Sequence, residues 1–226
     1  MDLAAVTVLD FTHLLPGPYA TQLLADAGAD VVKVEPPGGD TARHLPVDGD
    51  RPGTLFDLLN RGKRSVVLDL KADGVERALA PMLAEADVVV EQFRPGVADR
   101  LGIGYDDVRE HNPEVVYCSM SGYGQTGPDA DRVGHDLNYV GEAGLLDMTR
   151  SAAGARPAIP GVTVADTAGG LVAAFSVVAA LLSRELGTSD GEYVDVSLTD
   201  ATLSLGQTLA ASALFGGEPR PRETAL

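Results

Sequence analysis

The chain has 226 residues, of which 45% are hydrophobic, enough for one large domain with a sizeable core. Its formal net charge of -16 argues against binding to nucleic acids or to an anionic membrane surface. The single cysteine, Cys118, excludes an internal disulfide framework and a cysteine-rich metal site, and it fits a reducing, cytoplasmic compartment. The first residues, MDLAAVTVLDF, lack the basic segment and the long apolar run of a signal peptide.

Strand-like and helix-like stretches alternate along the chain. Short runs rich in β-branched residues predict strands over residues 5–11, 30–35, 64–70, 87–93, 114–124 and 192–198. Helical periodicity predicts helices over residues 17–29, 74–86 and 168–186. Because alternating strands and helices form βαβ units, the sequence predicts an α/β fold with a mostly parallel sheet and helices on both faces.

Three segments need a separate interpretation. Residues 167–183 form the longest uncharged apolar stretch, which is rich in Gly and Ala and predicts a buried core helix rather than a membrane span. Residues 36–63 and 147–162 match neither a helix nor a strand. Loops of this length in a compact domain are usually functional or mobile.

Several well-known catalytic motifs are absent from the sequence. It contains no Walker A pattern, no G-x-G-x-x-G after a strand, no H-E-x-x-H and no G-x-S-x-G. The four histidines are scattered and lack ligand-like spacing. The sequence therefore does not support a nucleotide-hydrolysing, nicotinamide or zinc enzyme, and no metal site is predicted.

Basic residues concentrate in "NRGKRS", where Arg61, Lys63 and Arg64 lie within four positions. One interpretation is a solvated loop whose charges form surface ion pairs. The other is a phosphate site, since guanidinium groups bind phosphate in bidentate fashion. Arg94, in "EQFRPG", follows a predicted strand directly, where ligands bind in open α/β sheets.

Two further segments carry candidate catalytic groups. In "GHDLNY", Asp136 or Asn138 is positioned to cap a following helix, whose free N–H groups would suit a developing oxyanion. His135 is then either incidental to that helix start or catalytic. In "ADTAGG", Asp166 precedes the long apolar helix, either as its N-cap or as an acid, base or nucleophile.

Six segments in the same order resemble the family III CoA-transferases (CaiB/BaiF type), and within them most of all the α-methylacyl-CoA racemases. The segments are "LPGPYATQLLADAGADVVKVEPP", "LNRGKRSVVLDLK", "DVVVEQFRPGVADRLGIGYDDV", "SGYGQTGP", "VGHDLNY" and "ADTAGGLVAA". They extend from about residue 4 to residue 205. Each segment is only modestly specific, but their common order makes the resemblance strong.

The resemblance implies a Rossmann-like, CoA-binding large domain over residues 1–205, followed by the start of a connection to a small domain over 206–226. It implies catalytic roles for His135 and Asp166, and no cofactor beyond the CoA of an acyl-CoA thioester substrate. It also implies an interlocked homodimer, or a chain completed by a second polypeptide. The implied CoA-binding residues are Arg64, Val67, Leu68, Asp69, Leu70, Arg94, Gly134, Asp136, Leu137, Asn138 and Tyr139.

Three functions remain open on these residues. In similar racemases a His and an Asp exchange the α-proton of a 2-methylacyl-CoA, and the presence of His135 favours this epimerisation. In similar transferases the matching Asp forms a mixed anhydride and then a CoA thioester, which makes CoA transfer the alternative. The third hypothesis is a CoA-binding remnant or subunit without activity.

Three departures from the resemblance bear on the racemase hypothesis. The loop over residues 36–63 is longer than in compact relatives, and this length, which is more typical of transferase-like members, weakens the racemase hypothesis. Pro36 stands where similar racemases often have an Arg, and Arg43 is a candidate replacement for the lost phosphate contact. Family members usually continue into a part that supplies a Glu partner for the catalytic His and covers the acyl pocket. For residues 1–226 alone we therefore expect weak or no racemase activity.

Overall fold

One parallel sheet organises the computed structural model, which describes residues 2–46, 52–152 and 154–215. Its strands are β1 (Thr7–Asp10), β2 (Asp30–Glu35), β3 (Arg64–Val67), β4 (Val88–Glu91), β5 (Val116–Ser121) and β6 (Glu192–Ser197). They lie in the order β3-β2-β1-β4-β5-β6, and every neighbouring pair is parallel. All six strands that the sequence predicts are present, and the α/β class is confirmed.

The helices occupy both faces of this sheet. They are α1 (Pro16–Asp26), α2 (Thr54–Leu59), α3 (Glu76–Glu85), α4 (Val97–Arg100), α5 (Tyr105–His111), α6 (Asp136–Glu142), α7 (Val164–Glu185), α8 (Leu198–Leu205) and α9 (Gln207–Leu214). Short 3-10 helices cover Thr41–Arg43 and Asp147–Thr149. The prediction that residues 36–63 and 147–162 contain no element was therefore wrong in part, because one or two turns are too short to produce a visible periodicity. Residues 47–51 and 153 lie outside the described residues.

Alternate side chains of each strand enter two separate cores. Val88 and Val90 of β4 pack in the core beneath α1, α6, α7 and α8. Val89, between them, packs in the core beneath α3 and α5. Both faces of the central strands are buried, which explains why these strands read as continuous apolar runs.

The strand predicted over residues 64–70 ends earlier, at Val67. The N–H of Leu68 still donates to Glu35 of β2 at 2.9 Å, but the chain then leaves the sheet. Asp69 closes a turn by accepting the N–H of Lys71 at 3.0 Å. As a result Leu68 to Leu70 form a loop at the carboxyl edge of the sheet.

Helix α7 packs unusually close to its neighbours because of two glycines. A Cβ on Gly170 would lie 2.8 Å from the carbonyl oxygen of Pro16, and one on Gly169 would collide with Leu198. By length and composition α7 also resembles a membrane-spanning helix, and half of its apolar window is buried inside this fold. Its outer face leaves Leu171 and Phe175 exposed, so α7 is a core helix along one side only.

The strand order reverses between β1 and β4, which pair with each other at the centre of the sheet. The chain leaves β1 towards α1 on one face and leaves β4 towards α4 and α5 on the other. Such a divergence opens a crevice at the carboxyl ends of the strands, where ligands bind in doubly wound sheets.

Candidate active site

Helices α6 and α7 meet end to end through Asp136. Its carboxylate accepts the backbone N–H groups of Ala165 and Asp166 at 2.7 and 3.1 Å. Asp136 is the first residue of α6, and its side chain caps the start of α7. Thr163, the N-cap residue of α7, offers no side-chain cap of its own. The prediction that Asp136 or Asn138 caps α6 was wrong for Asp136, because His135 is the N-cap residue, but Asn138 takes part in the cap: its side chain accepts the N–H of His135 at 2.9 Å.

Asp166 is the third residue of α7 rather than its N-cap. Burial raises its pKa to about 6, the negative charge of Asp136 acts in the same direction, and His135 acts against both. Within the described residues no hydrogen bond reaches the Asp166 carboxylate. The Asp166 carboxylate is therefore more basic than that of an ordinary aspartate, accepts no hydrogen bond from the described residues, and is mostly ionised at neutral pH.

The side chain of Tyr139 lies close to the Asp166 carboxylate. Its hydroxyl donates to the carbonyl of Gly134 at 2.6 Å, and its ring meets Tyr123 edge-on with centroids 5.3 Å apart. A Cβ on Gly122 or on Gly134 would lie 2.5–2.7 Å from the ring. Gly134, the first residue of "GHDLNY", and Gly122, in a separate segment, are therefore both required by the close approach of the phenol.

Arg94 lies near the Tyr139 side chain. Burial raises the pKa of Tyr139 to about 12, Tyr123 and Asp166 add to the rise, and Arg94 opposes it. Arg94 is exposed and forms no ion pair with the part of the chain that the structure describes. The predicted residues His135, Asp136, Tyr139, Asp166 and Arg94 thus come together, although they belong to three separate segments. Their catalytic and binding roles stay predictions.

A cavity of about 360 Å³ opens on the other side of the crevice. Leu68, Asp69 and Leu70 line it, whereas Val67 is 59% exposed and does not, and the assignment of all four to CoA binding stays a prediction. Thr12, His13 and Phe93 close it from the loops after β1 and β4. Burial lowers the pKa of His13, so this wall carries a neutral imidazole.

The basic cluster is divided between the surface and the core. Arg61 pairs with Asp26, and Arg64 forms a bidentate pair with Asp30 at 2.9 and 2.5 Å, both on exposed surface. Lys63 is 1% exposed, and its ammonium lies 3.0 Å from Asp10. Within this motif the ion-pair interpretation therefore has the geometric support, and the assignment of Arg64 to CoA binding stays a prediction.

Arg43, the candidate replacement for a missing phosphate contact, is held by Glu35 through two hydrogen bonds of 2.6 Å. The Arg43 guanidinium also lies 3.6 Å from the centre of the Phe56 ring. Although burial alone would raise it, the pKa of Glu35 falls to about 2 because Arg43 and Ser65 donate to the carboxylate. Arg43 thus serves first to neutralise Glu35 at the rim of the cavity.

Sequence reasoning missed the polar groups just after β1 and β4. His13 and Gln92 were not singled out, although each follows a predicted strand at the edge where ligands bind. Glu91 is buried at the end of β4, and burial raises its pKa to about 7 against the effect of hydrogen bonds from Ser119 and Phe93. No sequence signal marks Glu91, because it closes an otherwise apolar strand.

Comparison with known proteins gives consistent matches. The family model described as CoA-transferase family III matches residues 3–225. The acetyl-CoA:oxalate CoA-transferase of Acetobacter aceti is 40% identical over 202 residues, covering 88% of this chain and 51% of that protein. The succinyl-CoA:mesaconate CoA-transferase of Haloarcula hispanica is 39% identical over 225 residues, covering 96% of this chain and 56% of that protein.

Solved structures agree with these matches. A CaiB/BaiF family protein from Brucella suis superposes with a TM-score of 0.89 at 34% sequence identity. The superposition covers 97% of this chain and 59% of the Brucella chain. The chain therefore spans about half the length of the curated relatives that it matches.

Proposed function

Because the chain belongs to CoA-transferase family III, we propose that it takes part in moving CoA from an acyl-CoA thioester to a free carboxylic acid, with Asp166 as the nucleophile. The observation that carries the proposal is the Asp166 carboxylate, with a pKa of about 6, at the carboxyl edge of a doubly wound sheet. The sequence alone favoured epimerisation, but the named relatives are transferases, and they support the alternative better.

The first half of the reaction transfers the acyl group to the protein. The Asp166 carboxylate attacks the thioester carbonyl, a carbon–oxygen bond forms, and the carbon–sulfur bond breaks to release CoA thiolate. The thiolate then attacks the aspartyl carbonyl of the mixed anhydride and expels the first carboxylate. Asp166 now carries CoA as a thioester.

The second half runs the same steps in reverse with a different acid. The incoming carboxylate attacks the aspartyl thioester, which forms a new anhydride and releases CoA thiolate again. Attack of the thiolate on the new acyl carbonyl gives the product thioester and restores the Asp166 carboxylate. Atoms and charge balance without an oxidant or a metal.

A pKa of about 6 suits this nucleophile for two reasons. Above pH 6 most of the carboxylate is ionised and able to attack. A carboxylate of raised pKa is also a stronger nucleophile than one of ordinary pKa, since nucleophilicity follows basicity. We propose that burial beside Asp136 produces both effects, and that the start of α6 supplies N–H donors to the developing oxyanion.

CoA would occupy the cavity lined in part by Leu68, Leu70 and His13, whose apolar side chains and neutral imidazole suit the pantetheine chain. Arg94, which forms no ion pair within the described residues, lies near Tyr139 and would bind an anionic group of CoA or of the acid. His135 is exposed and forms no side-chain hydrogen bond within the described residues. We assign it to the wall of the acyl site rather than to an essential proton transfer.

The named relatives act with oxalate, mesaconate and succinate, so small dicarboxylic acids are the first acceptors to try. Since this chain covers about half of each relative, we propose that a second polypeptide or a second copy of the chain completes the acyl site. An interlocked homodimer is one arrangement that would achieve this.

Incubation with acetyl-CoA and carbon-labelled succinate tests the proposal. We expect labelled succinyl-CoA from the wild-type chain, alone or with its completing partner, and a CoA adduct on Asp166 by mass spectrometry. Asp166→Asn should remove both signals, whereas His135→Ala should retain the adduct.

A parallel incubation of a 2-methylacyl-CoA in deuterated water tests the competing reaction. Deuterium at the α-carbon that depends on His135, without any adduct on Asp166, would overturn CoA transfer in favour of epimerisation.

A further inference from the structure

We infer that Gln92 is a positioning residue that fixes the loop between β1 and α1 in the shape needed to bind CoA. The inference rests on the proposed function, because it concerns the same cavity. It adds a residue to which neither the sequence motifs nor the family match assigns a role.

Both ends of the Gln92 amide are engaged with this loop. The Nε2 group donates to the carbonyl of His13 at 2.8 Å, and Oε1 accepts the N–H of Gly17 at 3.0 Å. Gln92 itself follows β4 directly. One side chain therefore connects the ends of β1 and β4 across the point where the strand order reverses.

The contact to Gly17 completes the start of α1. Leu15, at the N-cap position, offers no side-chain hydrogen bond, and Pro16 and Pro18 have no backbone N–H. A Cβ on Gly17 would collide with Thr12 and with the Gln92 carbonyl oxygen. A glycine at this position is thus explained by the approach of Gln92.

The loop needs such a restraint because its backbone is strained. Leu14 has φ of 63°, and among the described residues it is the one non-glycine with a positive φ. Two buried side chains, those of Lys33 and Asp40, also form hydrogen bonds with the loop. Lys33 donates to the carbonyl of Thr12 at 2.7 Å, and Asp40 accepts the N–H of Leu14 at 3.3 Å.

Restraint of this loop determines the shape of the cavity. Thr12 and His13 form part of its wall, and the next residue along β4's loop, Phe93, forms another part. If Gln92 releases the loop, Leu14 can relax and the wall moves. Glutamine suits the position because it offers one donor and one acceptor without adding charge beside an anionic ligand.

The test compares Gln92→Met, which keeps the length of the side chain but neither hydrogen bond, with Gln92→Glu, which keeps the acceptor for Gly17. Gln207→Met, at the exposed start of α9, is the matched control. Amide hydrogen exchange over residues 12–19 reports on the loop, and titration calorimetry with CoA reports on the cavity.

We expect Gln92→Met to accelerate exchange in this loop and to weaken CoA binding roughly tenfold. Gln92→Glu should keep the Gly17 amide protected. Where turnover is measurable, KM for acyl-CoA should rise while kcat stays unchanged, since Asp166 is not affected. Loss of general stability would not produce this division between KM and kcat.

Unchanged loop exchange in Gln92→Met would overturn the inference, and so would faster exchange with unchanged CoA affinity. Wild-type and Gln92→Met chains that bind CoA equally well refute only the role of Gln92. A wild-type chain that does not bind CoA refutes the proposed function, and the inference falls with it.

Discussion

Two of the helices that begin at the carboxyl edge, α1 and α7, receive their cap from another part of the chain. At α1 the cap is the neutral amide of Gln92, and at α7 it is the carboxylate of Asp136. Neither helix has a side-chain cap at its own N-cap residue. A cap from a distant segment accepts the first free N–H groups of the helix and also joins the two segments. The start of each helix is therefore a tertiary contact.

The charge of the cap is what distinguishes the two sites. A helix N-terminus normally stabilises a nearby carboxylate and lowers its pKa. At α7, burial raises the pKa of Asp166 instead, and Asp136, which accepts the first free N–H groups, adds its own negative charge in the same direction. At α1 the neutral cap leaves the cavity without a further negative charge. The two helix starts therefore differ in charge, because α7 begins beside an additional carboxylate and α1 begins beside a neutral amide.

The largest expected effect concerns Lys63, a second side chain besides Gln92 that holds the start of α1. Lys63 donates to the carbonyl of Pro18 at 2.9 Å and to Thr21 at 2.7 Å, and it neutralises buried Asp10. Lys63→Met should lower the free energy of unfolding by about 3–5 kcal/mol, because it removes the ion-pair partner of buried Asp10 and leaves Lys33 as the remaining cation that acts on it.

Denaturant unfolding measures this difference, with Arg64→Met as the control. Arg64 is 65% exposed in its ion pair with Asp30, and its loss should cost less than about 1 kcal/mol. Equal losses for the two variants would show that the buried pair is not what anchors α1.

The next effect separates function from stability at α7. The folded pKa of Asp166, about 6, lies above the ordinary value of 3.8, so ionisation of Asp166 destabilises the fold. Asp166→Asn should therefore be more stable than the wild type by about 2 kcal/mol at pH 8. The advantage should shrink as the pH falls from 6 towards 3.8 and vanish only below about pH 3, where both states hold the proton.

Chemical denaturation at a series of pH values measures this dependence. Asp73→Asn, at an exposed position, provides the control and should show no such advantage. A pH-independent difference between Asp166→Asn and the wild type would contradict the raised pKa.

The smallest effect isolates the charge of the α7 cap. In Asp136→Asn an oxygen still accepts the N–H groups of Ala165 and Asp166, but the negative charge is gone. The pKa of Asp166 should fall below 6, while the free energy of unfolding changes by less than about 1 kcal/mol. A carbon NMR titration of labelled aspartate follows the Asp166 carboxyl group directly.

Asp136→Ala supplies the comparison, since it loses the hydrogen bonds as well as the charge. It should cost about 1 kcal/mol more than Asp136→Asn. An Asp166 pKa that stays near 6 in Asp136→Asn would assign the whole shift to burial.

Local pattern was sufficient for the strands and for the long helices. All six strands and helices α1, α3 and α7 follow from runs of β-branched residues and from helical periodicity. Helix α2 did not, because six residues flanked by Gly and Asn give no periodic signal. The end of β3 was also missed, since the turn at Asp69 interrupts a run that reads as one strand.

The sequence by itself determined the α/β class and placed His135, Asp166 and Arg94 among the residues to consider, because composition, periodicity and motif order are local properties. Only the tertiary structure decided what each polar group contacts. Asp136 caps a helix that begins 28 residues further along the chain. Lys63 belongs to a motif whose other basic residues are exposed, but its side chain is buried in an ion pair with Asp10. Burial and charge from distant segments set the protonation of Asp166, and such contacts exist only after the sheet brings those segments together.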